Sequence, residues 1–450
     1  MISLSNPYVG LRVAVLGLGR SGVAAARLLQ RCGALVTALD SGESALLAER
    51  AALLTGEGIL VMTGDAATKD QIRYDIAVLS PGIEETAPLV VNVTSKQTPL
   101  IGELELAFTL ATTPVVAITG TNGKTTTTEL TARMLRGAGI RAEACGNIGT
   151  PMSELLLADE PELYIAEVSS FQLETIRSFR PKVALWLNLS PNHLDRYPSM
   201  VEYREAKLRV FLNQTESDWA VIQHGSELPP LKARCITFSV TDPSADITLT
   251  EGTRIFHAGK LLLDIESSRL RGPHNASNLM AAFGAGIALG ADPVAMACSV
   301  GDYSPPSHRC EVVAVKRGIT WINDSKATNL AAMEQAIRSV NGPLVLIAGG
   351  KDKGFEFSPI APLVRERVSR SILIGEMRHR IARDWSPAAV EVTDTLDEAI
   401  AVAADSTPPG GTVLFSPGTS SFDMFRDYVR RGEEFRRIVL SLADIPRNED

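Results

Sequence analysis

Apolar and polar positions alternate along this chain with two periods. In residues 1–103, short apolar runs at 12–16, 35–39 and 76–79 read as strands, and 21–30 carries a helical spacing. The pattern resumes further on. A β-branched run, Val115, Val116 and Ile118, stops at glycine, after which Leu130, Met134 and Leu135 recur at helical spacing. Apolar strands are expected at 163–168 and 183–189, a helix at 200–212, a strand-rich stretch at 213–270, and a helix opened by Gly272-Pro273-His274-Asn275. A turn-rich boundary falls at 303–307. Strand and helix then alternate again, with strands at 320–323, 344–348, 371–374 and 412–415. Such alternation predicts α/β architecture with mainly parallel sheets covered by helices.

Composition narrows the class. At 450 residues the chain is too long for one core, so two or three domains are expected. Hydrophobic content of 45% with 21% charge is that of a globular protein. A net charge of −8 argues against an extended nucleic-acid surface. The five cysteines are scattered without Cys-x-x-Cys spacing, which predicts reduced thiols and a cytoplasmic setting. Residues 13–18 lack the basic flank of a targeting segment. The apolar stretch 279–300 is interrupted by Gly284, Gly286, Gly290 and Asp292-Pro293, so two buried helices joined by a turn are expected rather than a membrane span.

The chemistry gathers at turns that follow strands. Gly120-Thr121-Asn122-Gly123-Lys124-Thr125-Thr126 joins a strand to a helix, the layout of a phosphate cradle. Glycines let the backbone approach the anion, a lysine reaches the outer phosphates, and a hydroxyl helps hold Mg²⁺. The spacing departs from Gly-x-x-x-x-Gly-Lys-Thr, since Ile118 stands where the first glycine belongs, and an ordinary strand-to-helix turn is the alternative. Earlier, Gly17-Leu18-Gly19-Arg20-Ser21-Gly22 follows the first strand, and Asp40 ends the second, 18 positions beyond Gly22. That fingerprint suits NAD(H), yet a helix N-terminus plus a carboxylate suits any diphosphate joined to a ribose; glycines serving only helix–strand packing are the plainer reading. These turns define the expected fold: three open-sheet domains, Rossmann-like at 1–103, a mainly parallel P-loop ATPase-like sheet at 104–306, and Rossmann-like at 307–450.

Other polar groups fall at strand ends. Glu167 and His193 are candidates for an Mg²⁺ site near the cradle, against a solvated glutamate and a hydrogen-bonded histidine. Lys207 on a helix reads by default as a surface lysine. The run Asn323-Asp324-Ser325-Lys326-Ala327-Thr328-Asn329 resembles a capped helix start, with Asp324 or Thr328 near the N-terminus, but is more polar than a cap requires. Lys326 and Arg309 suit an anion or a surface salt bridge. The turns at 349–353 and 416–422 are equally dense in polar groups. No Ser-His-Asp arrangement and no zinc-type cluster is evident.

Taken together, these motifs resemble the Mur ligase family over essentially the whole chain. The phosphate loop 120–126 is of the family's own form, and 167–172, 192–197 with Lys207, His274-Asn275, His308-Arg309 and 323–329 are similar to its other blocks. Residues 169–174 and 324–329 look like those of the members that add D-glutamate. The resemblance implies an ATP-dependent amide-forming ligase acting on UDP-N-acetylmuramoyl-L-alanine and D-glutamate through an acyl phosphate. It implies two Mg²⁺ ions and a CO₂-derived carbamate on Lys207, with Thr125, Glu167 and His193 as further metal ligands. Lys124, Lys207, His193, Glu167 and Asn147 would carry the chemistry. ATP would meet the loop Gly120, Thr121, Asn122, Gly123, Lys124, Thr125 and Thr126, together with Asn278, Arg309, Asp324 and Lys326. UDP would be held by Gly17, Gly19, Arg20, Ser21, Gly22, Asp40, Ser41, Ser80, Pro81 and Gly82. D-Glutamate would meet Thr328, Lys353, Ser421, Phe422 and Tyr428, with Lys351 as the alternative lysine.

A monomer without nucleic-acid or membrane partners is expected, with hinges near Glu103 and Pro306. The nearest alternative is a sibling Mur or folylpolyglutamate-type ligase with another amino acid, although the Asp-Asn-Pro-Arg block of diamino-acid-adding members is missing from the sequence. An NAD-dependent oxidoreductase and a non-catalytic nucleotide switch are readings of other classes.

Overall fold

The computed structural model describes residues 6–147, 149–193, 196–270, 272–303 and 307–443. The chain forms two compact units: Met1–Asn188, Tyr203–Ser268 and Asn275–Asp302 make the first, and Leu189–Glu202, Arg269–His274 and Tyr303–Asp450 the second.

The first unit holds two sheets. One is a five-stranded parallel sheet in the order Leu60–Thr63, Leu35–Asp40, Arg12–Leu16, Ile76–Leu79, Leu100–Gly102. Its central strand is buried from Val13 to Leu16, because helices cover both faces of a parallel sheet. Helix Arg20–Arg31 packs Ala24, Ala25, Ala26, Leu28 and Leu29 inward. The chain winds outward from Arg12–Leu16 to one side and then to the other, so a topological switch point lies beyond Leu16 and Leu79, where Gly17 and Ser80 sit.

The other sheet has nine strands, in the order Lys260–Asp264, Arg254–His257, Ile247–Thr250, Arg234–Ser239, Trp219–Gln223, Val183–Trp186, Val115–Thr119, Leu163–Glu167, Ala142–Gly146. Neighbours are parallel except at the two terminal pairings that involve Arg254–His257. The strand expected at 183–189 ends at Trp186, with one further ladder bond from Leu187 N to the Thr119 carbonyl at 3.0 Å. The helix expected at 200–212 is Met200–Leu208 followed by a 3₁₀ turn, Arg209–Phe211.

The stretch 279–300 falls in helices Pro273–Leu289 and Pro293–Cys298, the second capped by Asp292. Its glycines serve close packing. A Cβ at Gly284 would lie 2.6 Å from Val221 Cγ1, and one at Gly286 2.3 Å from Met296 Sδ. Among the described residues, no helix is long and apolar enough to cross a membrane.

Glu103 does not lie in a loose linker. It begins helix Glu103–Leu110 directly after the last strand of the first sheet, and its buried carboxyl accepts the backbone amide of Ser153 at 2.8 Å and the Ser153 hydroxyl.

The second unit carries a six-stranded sheet in the order Glu311–Lys316, Ile319–Asn323, Thr412–Phe415, Leu344–Gly349, Arg370–Ile374, Val390–Val392. Its first pair is antiparallel and the rest are parallel. Phe435 of helix Tyr428–Ser441 stacks on Phe415 with ring centroids 4.7 Å apart, fixing that helix against the sheet. The helix start predicted within 323–329 is Leu330, and its cap is neither Asp324 nor Thr328. Asn329 accepts the amide of Ala332 at 2.9 Å, because it alone of the three stands one position before the first helical turn. Of the boundary predicted at 303–307, residues 304–306, including the hinge position Pro306, lie outside the described residues.

Candidate active site

In the first unit, strand Val115–Thr119 delivers the glycine turn, and helix Lys124–Gly137 leaves from it. Gly123 takes a left-handed φ of 85°, and a Cβ there would lie 2.4 Å from Asn278 Oδ1. Only glycine fits. No side chain of Gly123 can cap this helix, whose N-terminus is the end at which backbone amides and the helix dipole favour an anion. The turn is clamped from the next strand's end. Asn188 accepts the Thr121 amide on its carbonyl at 3.0 Å and the Asn122 amide on Oδ1 at 2.8 Å, and returns Nδ2 to the Asn122 carbonyl at 3.0 Å. Asn278 joins the other side of the turn, accepting from Thr127 Oγ1 at 3.2 Å. Lys124 Nζ lies 3.0 Å from the Thr121 carbonyl, folded over the loop.

Glu167 ends the adjacent strand and is buried. One carboxylate oxygen accepts Thr125 Oγ1 at 2.8 Å, and the other accepts Asn147 Nδ2 at 2.9 Å. Lys207 reaches the same turn from helix Met200–Leu208, donating to the Gly120 carbonyl at 2.9 Å. It is 2% exposed, which overturns the surface-lysine reading. Burial, reinforced by the nearby charge of Lys124 and opposed by Glu167, pushes its ammonium well below the ordinary lysine value. Tyr203, one turn earlier on that helix, places its ring 4.8 Å from Lys207 Nζ and its hydroxyl 3.3 Å from Thr121 Oγ1. Asn188 and Tyr203 had escaped sequence reasoning.

Lys124, Thr125, Asn147, Glu167, Lys207 and Asn278 are thus brought together within one unit. A hard cation fits this donor set in part, since Thr125 and Glu167 present oxygens on the loop. Among the described residues, no group of three or more His, Cys, Asp or Glu side chains is placed to hold a metal by itself.

The glycine turn of the five-stranded sheet is also tight. A Cβ at Gly22 would lie 1.7 Å from the Gly17 carbonyl oxygen, so the helix start and the turn touch backbone to backbone. Asp40 accepts the Leu18 amide at 2.7 Å and the Gly42 amide at 2.8 Å, one on each oxygen, and Ser80 Oγ donates to the Gly17 carbonyl at 3.0 Å. Asp40 therefore shapes the turn. Arg20 points its guanidinium at Glu154, both bonds being 2.9 Å, and at the Gly149 carbonyl at 2.7 Å.

In the second unit, His193 has a left-handed backbone with φ 56°, and its carbonyl accepts the amides of Arg196 and Tyr197. Leu194 and Asp195 of that motif, like Ile148 after Asn147, lie outside the described residues. Lys353 Nζ is 3.5 Å from Asn192 Oδ1, whereas Lys351 is exposed and pairs through its backbone with Ser420. Asp324 accepts the Cys310 amide at 3.1 Å and Ser416 Oγ at 2.8 Å, and burial lifts its carboxyl to about 6. Lys326 Nζ donates to the Tyr428 hydroxyl at 3.1 Å. Arg309 Nε and His274 Nδ1 are buried without a hydrogen-bond partner, and burial, helped by the Arg309 charge, pushes His274 down to about 4. Ser421 is buried, Thr328 and Tyr428 are half-buried, and Phe422 is exposed.

Three family models match the chain in order: the MurD-like N-terminal domain over residues 11–102, the Mur ligase middle domain over 118–286, and the Mur ligase glutamate ligase domain over 308–418. The chain is 43% identical to the UDP-N-acetylmuramoylalanine–D-glutamate ligase of Pelobacter propionicus, covering 96% of this chain and 99% of that one. With the enzyme of the same name from Geobacter metallireducens, identity is 41%, over 96% and 98% of the two chains. The fold is similar to that of the UDP-N-acetylmuramate–alanine ligase MurC of Thermotoga maritima, with TM-score 0.63 and 18% identity over 96% of this chain and 99% of that one. Fold and relatives together define a three-domain ATP-dependent amide-forming ligase. The chain belongs to the Mur ligase family.

Proposed function

We propose that this chain joins D-glutamate to UDP-N-acetylmuramoyl-L-alanine at the expense of ATP, in the cytoplasmic stage of peptidoglycan synthesis, as a monomer. The observation that carries the reading is the convergence of Lys124, Thr125, Glu167 and Lys207 on one glycine turn, in a chain alike to D-glutamate ligases over nearly its full length. An oxygen of the alanyl carboxylate forms a bond to the γ-phosphorus as the bond to the ADP oxygen breaks. The amine of D-glutamate then attacks the acyl carbon and loses a proton. The tetrahedral intermediate releases phosphate, which carries away one original carboxyl oxygen.

Residue types follow from that chemistry. A carboxylate approaching a triphosphate brings like charges together, so the helix-start amides and Lys124 are needed to stabilise them. Two Mg²⁺ ions, when bound, would add charge neutralisation at the phosphates. Thr125 and Glu167 supply oxygens for such ions, and Lys207 supplies more once carbamylated. The neutral amine favoured by burial adds to CO₂ and loses a proton, and the resulting anion then faces Lys124 in place of a second cation.

Asn147 and His193 are assigned to the alanyl carboxylate, and Gly17–Gly22, Asp40, Ser41 and Ser80–Gly82 to UDP. Arg309, Asp324 and Lys326 are assigned to the nucleotide, with Arg309 Nε an unsatisfied donor in support. Thr328, Lys353, Ser421, Phe422 and Tyr428 are assigned to D-glutamate. The proposed domain limits are 1–103, 104–306 and 307–450.

Phosphate release from ATP with Mg²⁺ and UDP-N-acetylmuramoyl-L-alanine is expected to require D-glutamate. Release that is independent of D-glutamate, or faster with L-lysine or a diamino acid, contradicts the assignment.

A further inference from the structure

Arg20 opens the helix behind the 17–22 turn, yet its side chain bonds to a segment that follows the edge strand Ala142–Gly146 of the nine-stranded sheet. The guanidinium meets Glu154 as a fork, Nε on one carboxylate oxygen and Nη2 on the other, both at 2.9 Å. Nη1 donates to the Gly149 carbonyl at 2.7 Å, and Nη2 lies 3.4 Å from Thr150 Oγ1. The Arg20 and Glu154 side chains are 55% and 41% exposed. An ion pair so open to water contributes little stability. What it fixes is position, because a planar fork on a carboxylate permits few orientations.

The segment it grips carries Asn147. The Asn147 amide donates to the Glu167 carbonyl at 2.9 Å, and Asn147 Nδ2 to the Glu167 carboxylate at 2.9 Å. Gly146 N meets the Thr150 carbonyl at 3.0 Å, which closes the turn. Beyond Pro151 the chain enters helix Met152–Leu157, which is anchored on the layer of the five-stranded sheet. Ser153 bonds to Glu103, Arg31 Nη1 donates to the Leu157 carbonyl at 2.8 Å, and Leu156 and Leu157 pack on that sheet's core. The turn is thus tied to Glu167 at one end and to this helix at the other. Arg20 holds it between those points, at Gly149.

We infer that Arg20 is a positioning residue for the donor carboxylate: its fork on Glu154 and Gly149 sets the turn that carries Asn147 against Glu167. The inference deepens the proposed function and rests on Asn147 meeting the alanyl carboxylate. It divides the labour of the 17–22 turn, whose backbone serves the nucleotide while the Arg20 side chain serves the carboxylate.

In the full chain, Arg20→Met is expected to lower kcat about tenfold, the scale of a slightly misplaced reactant. KM for ATP and D-glutamate, and the affinity for UDP alone measured by calorimetry, are expected to stay within about twofold. Arg20→Lys, which keeps the charge without the fork, is expected to lower kcat about threefold or more. Glu154→Leu is expected to do the same, and the Arg20→Met/Glu154→Leu pair to be no slower than Arg20→Met alone, since both act through one contact. An unaltered kcat in Arg20→Met, effects that multiply in the pair, or a loss of UDP affinity beyond twofold would overturn the inference. If Arg20→Met does not fold, Glu154→Leu decides: a lower kcat at unchanged UDP affinity supports the inference, and an unaltered kcat overturns it. Full activity in Asn147→Ala defeats the carboxylate assignment and this inference together, whereas an impaired Asn147→Ala with indifferent Arg20 variants defeats this inference alone.

Discussion

Lys207→Ala is expected to lower turnover by about a thousandfold or more, because it would remove the carbamate oxygens proposed here as metal ligands. The lysine sits 2% exposed against the Gly120 carbonyl, beside Lys124, in surroundings that favour its neutral amine. A lysine kept only for its charge would not be placed there. Short-chain carboxylates such as acetate or propionate are expected to restore part of the activity, since each puts an oxygen ligand into the vacated volume. Wild-type activity should fall when CO₂ is stripped from the buffer and return with bicarbonate. Full activity in the alanine variant, or loss that no carboxylate reverses, contradicts the carbamate role.

Glu167→Gln is expected to reduce kcat by about 10²–10³-fold and to raise the Mg²⁺ concentration needed for half-maximal rate, with little change in melting temperature. The side chain keeps its shape, and one amide oxygen still accepts a hydrogen bond from Thr125 or Asn147. What goes is the negative charge at the end of strand Leu163–Glu167. A titration of rate against Mg²⁺ separates the two effects. An unaltered Mg²⁺ requirement would mean that Glu167 serves only to orient Thr125 and Asn147.

Much of this was legible in the sequence because it is local. An apolar strand, glycines and a helix of regular period identify both the 120–126 and the 17–22 turns, and at Gly17, Gly22, Gly120 and Gly123 a Cβ would collide, whereas Gly19 faces open space. The dinucleotide fingerprint was locally correct and functionally ambiguous. Asp40 holds two backbone amides, which any tight turn of this kind needs whatever ligand it binds.

What escaped depends on contacts between distant residues. Asn188 clamps the phosphate loop across 66 positions, and a lone asparagine after a strand gives no periodic signal. Arg431 stands in an amphipathic helix rich in arginine, with Arg430, Arg436 and Arg437 nearby, where one buried guanidinium cannot be told from its exposed neighbours. Lys207 reads as a surface residue for the same reason. Strand ends at 186 rather than 189, and a helix cap at Asn329 rather than Asp324 or Thr328, were missed by a few residues because tertiary bonds set the last turn.

The central claim is that the alanyl carboxylate becomes an acyl phosphate before the amine captures it. Oxygen-18 placed in the carboxylate of UDP-N-acetylmuramoyl-L-alanine tests it most directly, by mass spectrometry of the released phosphate after turnover with ATP and D-glutamate. The account predicts one labelled oxygen in each phosphate derived from a fully labelled carboxylate. Phosphate free of label, formed together with the amide product, would contradict it.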